Sequence, residues 1–247
     1  MKFEFLGTAD TGGIPLHQCH CAICEAARQK GGVSNRSTCA YLELDDGSVI
    51  LFDAGYDLLC DRFNTTRIRA VFLTHFHADH CLGLIRLRKS VDSIPCYIPD
   101  DTQGFGDLFI HKDSIDYQVM QPFETKEIEG VKIVAVPLLH SKLTHGYVIF
   151  TCKGIVAYLT DCASISSESL AYLQAQPIDH LFLDAAYTPW FNSDKHLNWE
   201  SAGEYIESIS PKNGYLIHAS CKTLLPLHVK KIRLKYPYIE QGFKIEV

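Results

Sequence analysis

The segment from Thr74 to His80 carries the side chains of this sequence that are best suited to chemistry. His75, His77, Asp79 and His80 place imidazoles and a carboxylate side by side in the sequence. Residues 69–73, which precede them, form an apolar run typical of a buried strand, so the polar side chains fall where that strand ends. Imidazole and carboxylate groups are ligands of divalent cations such as zinc or manganese. The segment therefore predicts a metal site.

The spacing of these residues allows one segment to serve two metal ions. In an extended chain His75 and His77 point the same way, whereas a turn carrying Asp79 and His80 can reach a second, adjacent position. The alternative is a solvated histidine-rich loop. That alternative is disfavoured because ionisable groups held this close repel one another when protonated and gain little when neutral without a cation.

Other apolar runs also end in a histidine or an aspartate, namely residues 49–53, 134–140, 156–161, 181–184 and 215–218. If these strands point the same way in one pair of sheets, their terminal polar residues meet at a common edge. Helical patterns with apolar positions three and four residues apart cover residues 81–91, 102–111, 166–175, 199–209 and 223–236. The sequence Asp-Asp-Gly-Ser at 45–48 predicts a hairpin turn. A layered α/β protein is expected.

The composition narrows the class of protein. The chain of 247 residues contains no linker or repeat, so residues 1–247 are predicted to form a single domain. Its formal net charge of −6 gives no basic field for nucleic acid. We expect no membrane span, since no apolar run approaches the ~18 residues required, and Glu4 interrupts any signal-peptide pattern. The expected location is the cytoplasm.

The strand-end side chains can be assigned to two metal ions. We expect the first ion to be held by His75, His77 and His140, the second by Asp79, His80 and His218, and both by a bridging Asp161. A pair of divalent cations lowers the pKa of a shared water, and its surplus positive charge attracts an anionic ester. Hydrolysis of a phosphoester fits this chemistry best. Taken singly, a histidine such as His140 is more often a core residue than a ligand.

The motif His75-x-His77-x-Asp79-His80, followed by separate His140, Asp161 and His218, resembles the metallo-β-lactamase superfamily of two-metal hydrolases. The resemblance implies an αββα sandwich and two divalent ions, Mn²⁺ or Zn²⁺. Asp53 matches the buried strand-end aspartate of that superfamily, which supports a metal ligand from behind.

Further motifs resemble the PhnP family within that superfamily, and this likeness runs nearly end to end. They are Gly12-Gly13-Ile14-Pro15, Cys19-x-Cys21-x-x-Cys24, Gln103-Gly104, Asp107-Leu108-Phe109 and His140-Ser141-Lys142-Leu143-Thr144-x-Gly146-Tyr147. The resemblance implies a homodimer that hydrolyses 5-phosphoribosyl 1,2-cyclic phosphate to ribose 1,5-bisphosphate in phosphonate catabolism, the carbon-phosphorus lyase pathway.

A second, structural zinc site is expected near residues 19–24. Cys19, Cys21 and Cys24 supply three thiolates, one short of a tetrahedral set. The PhnP family places its fourth ligand, a histidine, at the position of Cys221, so this chain would bind zinc through four cysteines. The alternative is that His17 or His20 completes the site and Cys221 packs as a small apolar residue. For the remaining cysteines, at 39, 60, 81, 96, 152 and 162, core packing is expected.

Asp79 and His196 are the catalytic candidates. His196 occupies the position of a catalytic histidine in the PhnP family and would act as the general acid, the alternative being that it caps a helix starting near Asn198. Lys142 and Arg88 are candidates for binding a distal phosphate of a small sugar-phosphate substrate.

Three other functions share this set of ligands. A tRNA 3′-processing endonuclease uses the same metals but needs a basic arm, which this acidic chain lacks. Hydrolysis of a lactone or thioester remains an alternative, because a metal pair alone does not determine whether carbon or phosphorus is attacked. A non-catalytic metal-binding member of the superfamily is disfavoured, since it predicts a missing ligand.

Overall fold

The computed structural model describes residues 1–101, 103–191 and 193–247, which form two β-sheets flanked by helices. The first sheet contains β1 (Lys2–Gly7), β2 (Cys39–Glu43), β3 (Val49–Phe52), β4 (Ile68–Phe72), β5 (Ile94–Ile98), β6 (Ile115–Val119) and β13 (Lys244–Glu246). The second contains β7 (Thr125–Ile128), β8 (Val131–Leu138), β9 (Thr144–Phe150), β10 (Ile155–Leu159), β11 (His180–Asp184) and β12 (Asn213–Ile217). The helices are α1 (Ala22–Arg28), α2 (Leu59–Arg62), α3 (Ala78–Cys81), α4 (Leu84–Leu87), α5 (Gly106–Ile110), α6 (Ser167–Gln174), α7 (Trp199–Ile209) and α8 (Cys221–Lys230).

Strand direction brings the chemically active ends of the strands to one edge of each sheet. In the first sheet, ordered β13-β1-β2-β3-β4-β5-β6, the strands β3 to β6 are parallel. The predicted hairpin at 45–48 joins the antiparallel pair β2 and β3. In the second sheet, ordered β12-β11-β10-β9-β8-β7, the strands β10, β11 and β12 are parallel, and β8 runs with them because β9 is antiparallel to both of its neighbours. The carboxyl ends of β3, β4, β8, β10, β11 and β12 therefore carry the predicted site.

The sheets pack face to face, and each strand contributes alternate side chains to two different cores. Ile50 and Phe52 face the opposite sheet, whereas Val49 and Leu51 face the helices outside. Burial on both faces explains why these strands appear in the sequence as uninterrupted apolar runs. Helices α6 and α7 cover the outer face of the second sheet in the same way. The layer order is αββα, which confirms the predicted fold class.

Two predicted helices have the expected extents, and each begins after a side-chain cap. Ser166 Oγ accepts from the Ser169 amide before α6, and Asn198 Oδ1 accepts from the amides of Glu200 and Ser201 before α7. These caps satisfy amide groups that have no partner within the helix.

Three predicted helices differ from the prediction. The pattern at 81–91 contains only the short helix α4, which is separated from α3 because the Gly83 amide donates to the Ala54 carbonyl at 2.7 Å. The helix predicted at 102–111 begins at Gly106, and residue 102 lies outside the described residues. The helix predicted at 223–236 is α8, which begins two residues earlier and stops where Lys231 adopts a left-handed conformation, φ 53°. Among the described residues, no helix is both long enough and apolar enough to cross a membrane.

Candidate metal centre

Every histidine and aspartate predicted as an active-site metal ligand lies at the shared edge of the two sheets. Three overlapping groups of ligand atoms can be distinguished, each compact enough for one ion, and the third, Asp161, Asp184, His196 and His218, shares two members with the other two. The first group contains His75, His77, His140 and Asp161, and the second contains Asp79, His80 and His218.

In the first group, imidazole nitrogens face one another. His75 Nε2 lies 2.9 Å from His77 Nδ1, and His140 Nε2 lies 3.2 Å from the same atom. Asp161 Oδ2 is 3.5 Å from His75 Nε2 and 3.7 Å from His140 Nε2. Nitrogen lone pairs that converge in this way repel one another unless a proton or a cation lies between them.

In the second group, the other oxygen of Asp161 is the common neighbour. Asp161 Oδ1 lies 3.3 Å from His80 Nε2 and 3.2 Å from His218 Nε2. Asp79 Oδ2 is 3.7 Å from His218 Nε2. Because each oxygen of Asp161 faces a different group, this carboxylate has the geometry of a bridge between two sites.

Unsatisfied ring nitrogens show that these residues fit divalent cations. Nε2 of His80 and Nε2 of His218 are buried and have no hydrogen-bond partner within the described chain. A buried polar atom without a partner is costly, and each of these nitrogens faces a carboxylate oxygen across a gap. The imidazole and carboxylate donors suit zinc, manganese, iron or cobalt.

Burial keeps the first group of histidines neutral. It lowers the pKa of His75 well below the ordinary value, lowers that of His77 to about 4, and lowers that of His140. The neighbouring histidines add to this effect at His75, whereas Asp161 opposes it. Neutral imidazoles have the free lone pair that a metal ion requires.

The second group attracts positive charge. Burial opposes protonation of His218, but the Asp161 and Asp79 carboxylates outweigh it and raise the pKa of His218 to about 9. At His80, burial is likewise outweighed by Asp161 and Asp53, so the pKa is raised well above its ordinary value. This end of the site thus holds protons tightly, and a metal ion that binds there displaces them.

Asp53, predicted to support a metal ligand, contacts the ring nitrogen of His80 that faces away from the metal site. Its Oδ2 lies 2.8 Å from His80 Nδ1 and accepts from the Tyr158 hydroxyl at 2.9 Å. Its Oδ1 accepts from the amide and the hydroxyl of Thr74, both at 2.8 Å. These contacts favour a hydrogen on Nδ1 of His80, which directs the Nε2 lone pair into the site. His140 is oriented similarly, since its Nδ1 lies 2.7 Å from the Lys195 carbonyl oxygen.

Asp184 also lies at this site, although its sequence context predicted no role for it. It is fully buried, and its Oδ2 accepts from the Cys162 amide at 2.7 Å and lies 2.8 Å from His196 Nδ1. Its Oδ1 is 3.9 Å from His218 Nδ1. The signal was present in the sequence, because Asp184 ends an apolar run as Asp53 and Asp161 do.

The catalytic candidate His196 lies against the ligands rather than at a helix cap. Its ring centroid is 4.9 Å from that of His140 and 5.0 Å from that of His218. Burial opposes its protonation, but Asp184 outweighs burial and raises the pKa of His196. The predicted alternative, a cap of α7, is wrong because Asn198 caps that helix.

The two candidates for binding a distal phosphate already have protein partners. Lys142 Nζ lies 3.3 Å from Asp101 Oδ2. Arg88 donates to the His111 carbonyl at 3.1 Å, and its Nε lies 3.8 Å from Asp113. The contacts place Arg88 against the segment that follows α5. Phosphate binding by either residue stays a prediction.

The predicted thiol cluster forms at the start of two helices. The sulfur atoms of Cys19, Cys21, Cys24 and Cys221 all lie within 4.8 Å of one another. The Cys21 amide, with help from the neighbouring thiols, lowers the pKa of Cys19 to about 7. His20, the alternative ligand, has a highly exposed side chain that contacts Glu25. The four sulfur atoms could therefore supply all four donors of a tetrahedral zinc site without a histidine.

The remaining cysteines do not all pack in the core as expected. Cys39, Cys81, Cys96 and Cys162 are buried, and Cys60 is partly buried. The prediction is wrong for Cys152, which is exposed. Its position in the turn between β9 and β10 explains the exposure.

Comparison with known proteins agrees with this geometry. A family model described as a beta-lactamase superfamily domain matches residues 49–219. The solved structure of a diphosphatase from the PhnP family superposes with a TM-score of 0.82 at 25% identity, covering 99% of this chain and 96% of that one.

Curated relatives match over part of their length. An octanoyltransferase of Porphyromonas gingivalis is 25% identical over 98% of this chain and 50% of its own. A ribonuclease Z of Methanosarcina acetivorans is 27% identical over 60% of this chain and 48% of its own. The chain thus spans about half the length of these relatives.

Proposed function

Since the chain belongs to the metallo-β-lactamase superfamily, we propose that it is a two-metal phosphodiesterase. The observation that carries the proposal is the position of Asp161, which directs one oxygen toward each of the two ligand groups. Two divalent cations bound there would supply an activated water and neutralise the charge of a phosphodiester. The seven predicted ligands would hold these ions, with Asp161 shared between them.

The residues of the chain provide orientation and a proton. Asp53 and the Lys195 carbonyl fix the ring positions of His80 and His140. Asp184 holds Nδ1 of His196, which leaves Nε2 of that ring available to donate a proton. A histidine beside the reacting phosphate is suited to protonate the departing oxygen of the ester. We assign this general-acid role to His196.

The proposed substrate is 5-phosphoribosyl 1,2-cyclic phosphate, with ribose 1,5-bisphosphate as product. The PhnP-family motifs in the sequence support this choice, as does the likeness to a solved PhnP-family structure along nearly the whole chain. In this reaction the sugar O2 departs when the five-membered ring opens, so a proton donor is needed at that oxygen. His196 meets this need.

The test is turnover of the cyclic phosphate by chelated protein to which Mn²⁺, Zn²⁺, Fe²⁺ or Co²⁺ is returned singly. Phosphorus NMR distinguishes the cyclic diester from the bisphosphate product. We expect turnover with at least one metal and none after Asp161→Ala. Failure with every metal contradicts the proposal.

A tRNA 3′-processing endonuclease is the second candidate, supported by the ribonuclease Z match. The formal net charge of −6 counts against it, because such an enzyme must grip a polyanion. Cleavage of precursor tRNA measured beside turnover of the cyclic phosphate separates the two functions. The octanoyltransferase match does not support the same activity for this chain, because half of that protein has no counterpart here.

We also propose that Cys19, Cys21, Cys24 and Cys221 bind one structural zinc ion. Four thiolates close a tetrahedral site and leave no open position for a substrate. Cys221 lies three residues after His218, so a metal bound by the cysteines would fix the loop that presents this ligand.

A further inference from the structure

The four thiols at the start of α1 and α8 lie close enough to react with one another as well as to bind a metal ion. The sulfur atoms of Cys19 and Cys221 are 3.9 Å apart. Two sulfur ligands of a tetrahedral zinc ion are separated by about 3.8 Å, since each Zn–S bond is about 2.3 Å long. A disulfide between Cys19 and Cys221 requires these atoms to approach by roughly 1.9 Å. The pair therefore has the spacing of zinc ligands and lies within a short movement of a covalent bond.

The thiols of the cluster differ in their access to solvent. Cys19 and Cys21 are partly exposed, whereas Cys24 and Cys221 are buried. A small oxidant that diffuses from solvent therefore meets Cys19 before it meets Cys221. A solvent-accessible cysteine with a second thiol beside it is the usual arrangement of a redox-sensitive pair, because the second thiol captures the oxidised first one as a disulfide.

The segment that carries Cys221 also carries a ligand of the metal centre. Cys221 is the first residue of α8 and lies three residues after His218. The His218 amide donates to the Thr8 carbonyl at 2.7 Å, and Ala9 forms a parallel bridge with Ala219. The N-terminal loop therefore contacts the segment at 218–221 at two places, beside His218 and at the thiols. A change at the thiols is transmitted through this backbone to His218.

This corner of the molecule has a small core of its own. Its buried residues are Ile14, Cys24 and Cys221, which form a cluster distinct from the larger cores between and outside the sheets. From the surface, Arg28 donates to the Leu16 carbonyl at 2.8 Å. Because so little apolar surface is buried here, bonds between a metal ion and the thiolates would provide much of the stability of the loop. Loss of the ion should therefore loosen it.

We infer that hydrogen peroxide, or another hydroperoxide, oxidises Cys19 and Cys221 to a disulfide, which releases the zinc ion of the cluster and weakens metal binding at His218. The inference rests on the proposed structural zinc site and on the proposed metal centre, and it adds redox control to both. It concerns a covalent bond between the N-terminal loop and α8, at a position outside the metal centre.

The reaction is balanced by the peroxide alone. The Cys19 thiolate attacks one peroxide oxygen, the O–O bond breaks, and hydroxide leaves, so Cys19 becomes a sulfenic acid. The Cys221 thiolate then attacks the Cys19 sulfur, the S–O bond breaks, and a second hydroxide leaves as the S–S bond forms. The two thiolates lose two electrons and the peroxide gains them. The cluster then retains only Cys21 and Cys24 as thiolates, which are too few to close a structural zinc site.

The test measures zinc content and disulfide bonds in the zinc-loaded protein before and after treatment with hydrogen peroxide. Elemental analysis after desalting counts the zinc, and mass mapping of unreduced peptides locates the disulfide. We expect the loss of one zinc ion per chain together with a Cys19–Cys221 link, and recovery after dithiothreitol and zinc are added. Asp161→Ala, which changes the metal centre, should lose the same ion. A chelator should then remove the remaining metal from the oxidised wild type about tenfold more readily than from the reduced protein.

Two variants separate zinc binding from disulfide formation. Cys221→His keeps a zinc ligand at this position but removes the partner thiol, so it should bind the cluster zinc and retain it in peroxide. Cys19→His makes the same test from the other side of the pair if Cys221→His does not fold. Cys152→Ser, which removes the exposed thiol outside the cluster, should respond to peroxide as the wild type does.

Zinc that stays bound in the peroxide-treated wild type overturns the inference, as does a disulfide between Cys21 and Cys24 in place of the expected one. Release of zinc from Cys221→His at the wild-type rate also overturns it, and so does equal loss of metal to the chelator from oxidised and reduced protein. A cluster without zinc before oxidation refutes the zinc site itself. Zinc release and the disulfide as expected, in a protein that does not hydrolyse the cyclic phosphate, refute only the phosphodiesterase.

Discussion

Nδ1 of His196 lies 2.8 Å from Oδ2 of Asp184, and this contact determines which edge of the imidazole faces the metal centre. The same carboxylate accepts a hydrogen bond from the Cys162 amide and lies close to the His218 ring. It therefore connects the catalytic candidate to a predicted metal ligand. Asp184 is buried and cannot move without breaking these contacts.

Replacement of His196 should therefore impair chemistry rather than metal binding. We expect His196→Ala to lower kcat by about 10²–10⁴-fold, the usual contribution of a general acid, with metal content unchanged. Elemental analysis and steady-state kinetics on one preparation check both points. Wild-type turnover by this variant would exclude the role.

Replacement of Asp184 should change the pH profile. Because Asp184 raises the pKa of His196, Asp184→Asn should lower that pKa and deprotonate the general acid at a lower pH. The alkaline limb of the kcat profile should then move to lower pH. Asp179→Asn, at an ion pair with Lys212 outside the site, is the control. An alkaline limb that keeps its wild-type position in Asp184→Asn would separate Asp184 from the protonation of His196.

Asp53 should control metal affinity. Since it orients His80, Asp53→Ala should weaken metal binding by about 10–100-fold, as is typical when the partner of a metal-binding histidine is removed. Tyr158→Phe removes only one hydrogen bond to the same carboxylate and should have a smaller effect. Competition with a chelator measures both. An unchanged affinity in Asp53→Ala would show that His80 is held by other contacts.

The thiol cluster should contribute to stability as well as zinc content. We expect Cys221→Ser to bind one zinc ion fewer per chain and to unfold at a lower temperature, because binding at a structural site is coupled to folding. Cys152→Ser, which replaces an exposed thiol, should match the wild type. Equal zinc content in the two variants would show that Cys221 is not a ligand.

His145 should make the protein less stable in mild acid. Burial lowers the pKa of His145 to about 4 in the folded chain, although Glu124 opposes the shift, whereas the unfolded value is about 6.5. The unfolded state thus binds more protons than the folded state. The contribution of neutral His145 to the free energy of unfolding is therefore complete above pH 6.5 and decreases as the pH falls toward 4. At pH 5.5 the loss should be roughly 1 kcal/mol. Urea unfolding of His145→Asn, with the exposed His228→Asn as control, should show a smaller loss than the wild type between pH 7.5 and 5.5.

The strand-end pattern made much of this site predictable. Residues such as His140 and Asp161 follow apolar runs, and parallel strands bring such ends together. Asp184 follows the same rule but has no place in the ligand motif, so it was assigned no role. Its contact with His196 depends on how the intervening loop folds back, which no local sequence pattern shows.

Helix boundaries in the first half of the chain were less predictable. The apolar spacing of residues 81–91 fits a helix, but the interruption at Gly83 comes from a hydrogen bond to Ala54, which is distant in the sequence. The exposure of two aromatic side chains was also missed. Trp190 and Phe191 have the composition of core residues, and only the structure shows that they are exposed.

The thiol cluster joins residues that leave the ribosome at very different times. Cys19 and Cys221 are 202 positions apart, and their sulfur atoms lie 3.9 Å from each other. The first three cysteines of the cluster are therefore synthesised long before the fourth is available. During that interval a metal ion bound to them would need a fourth ligand other than Cys221. Replacement of that ligand by Cys221 would occur when the segment carrying Cys221 folds against the N-terminal loop.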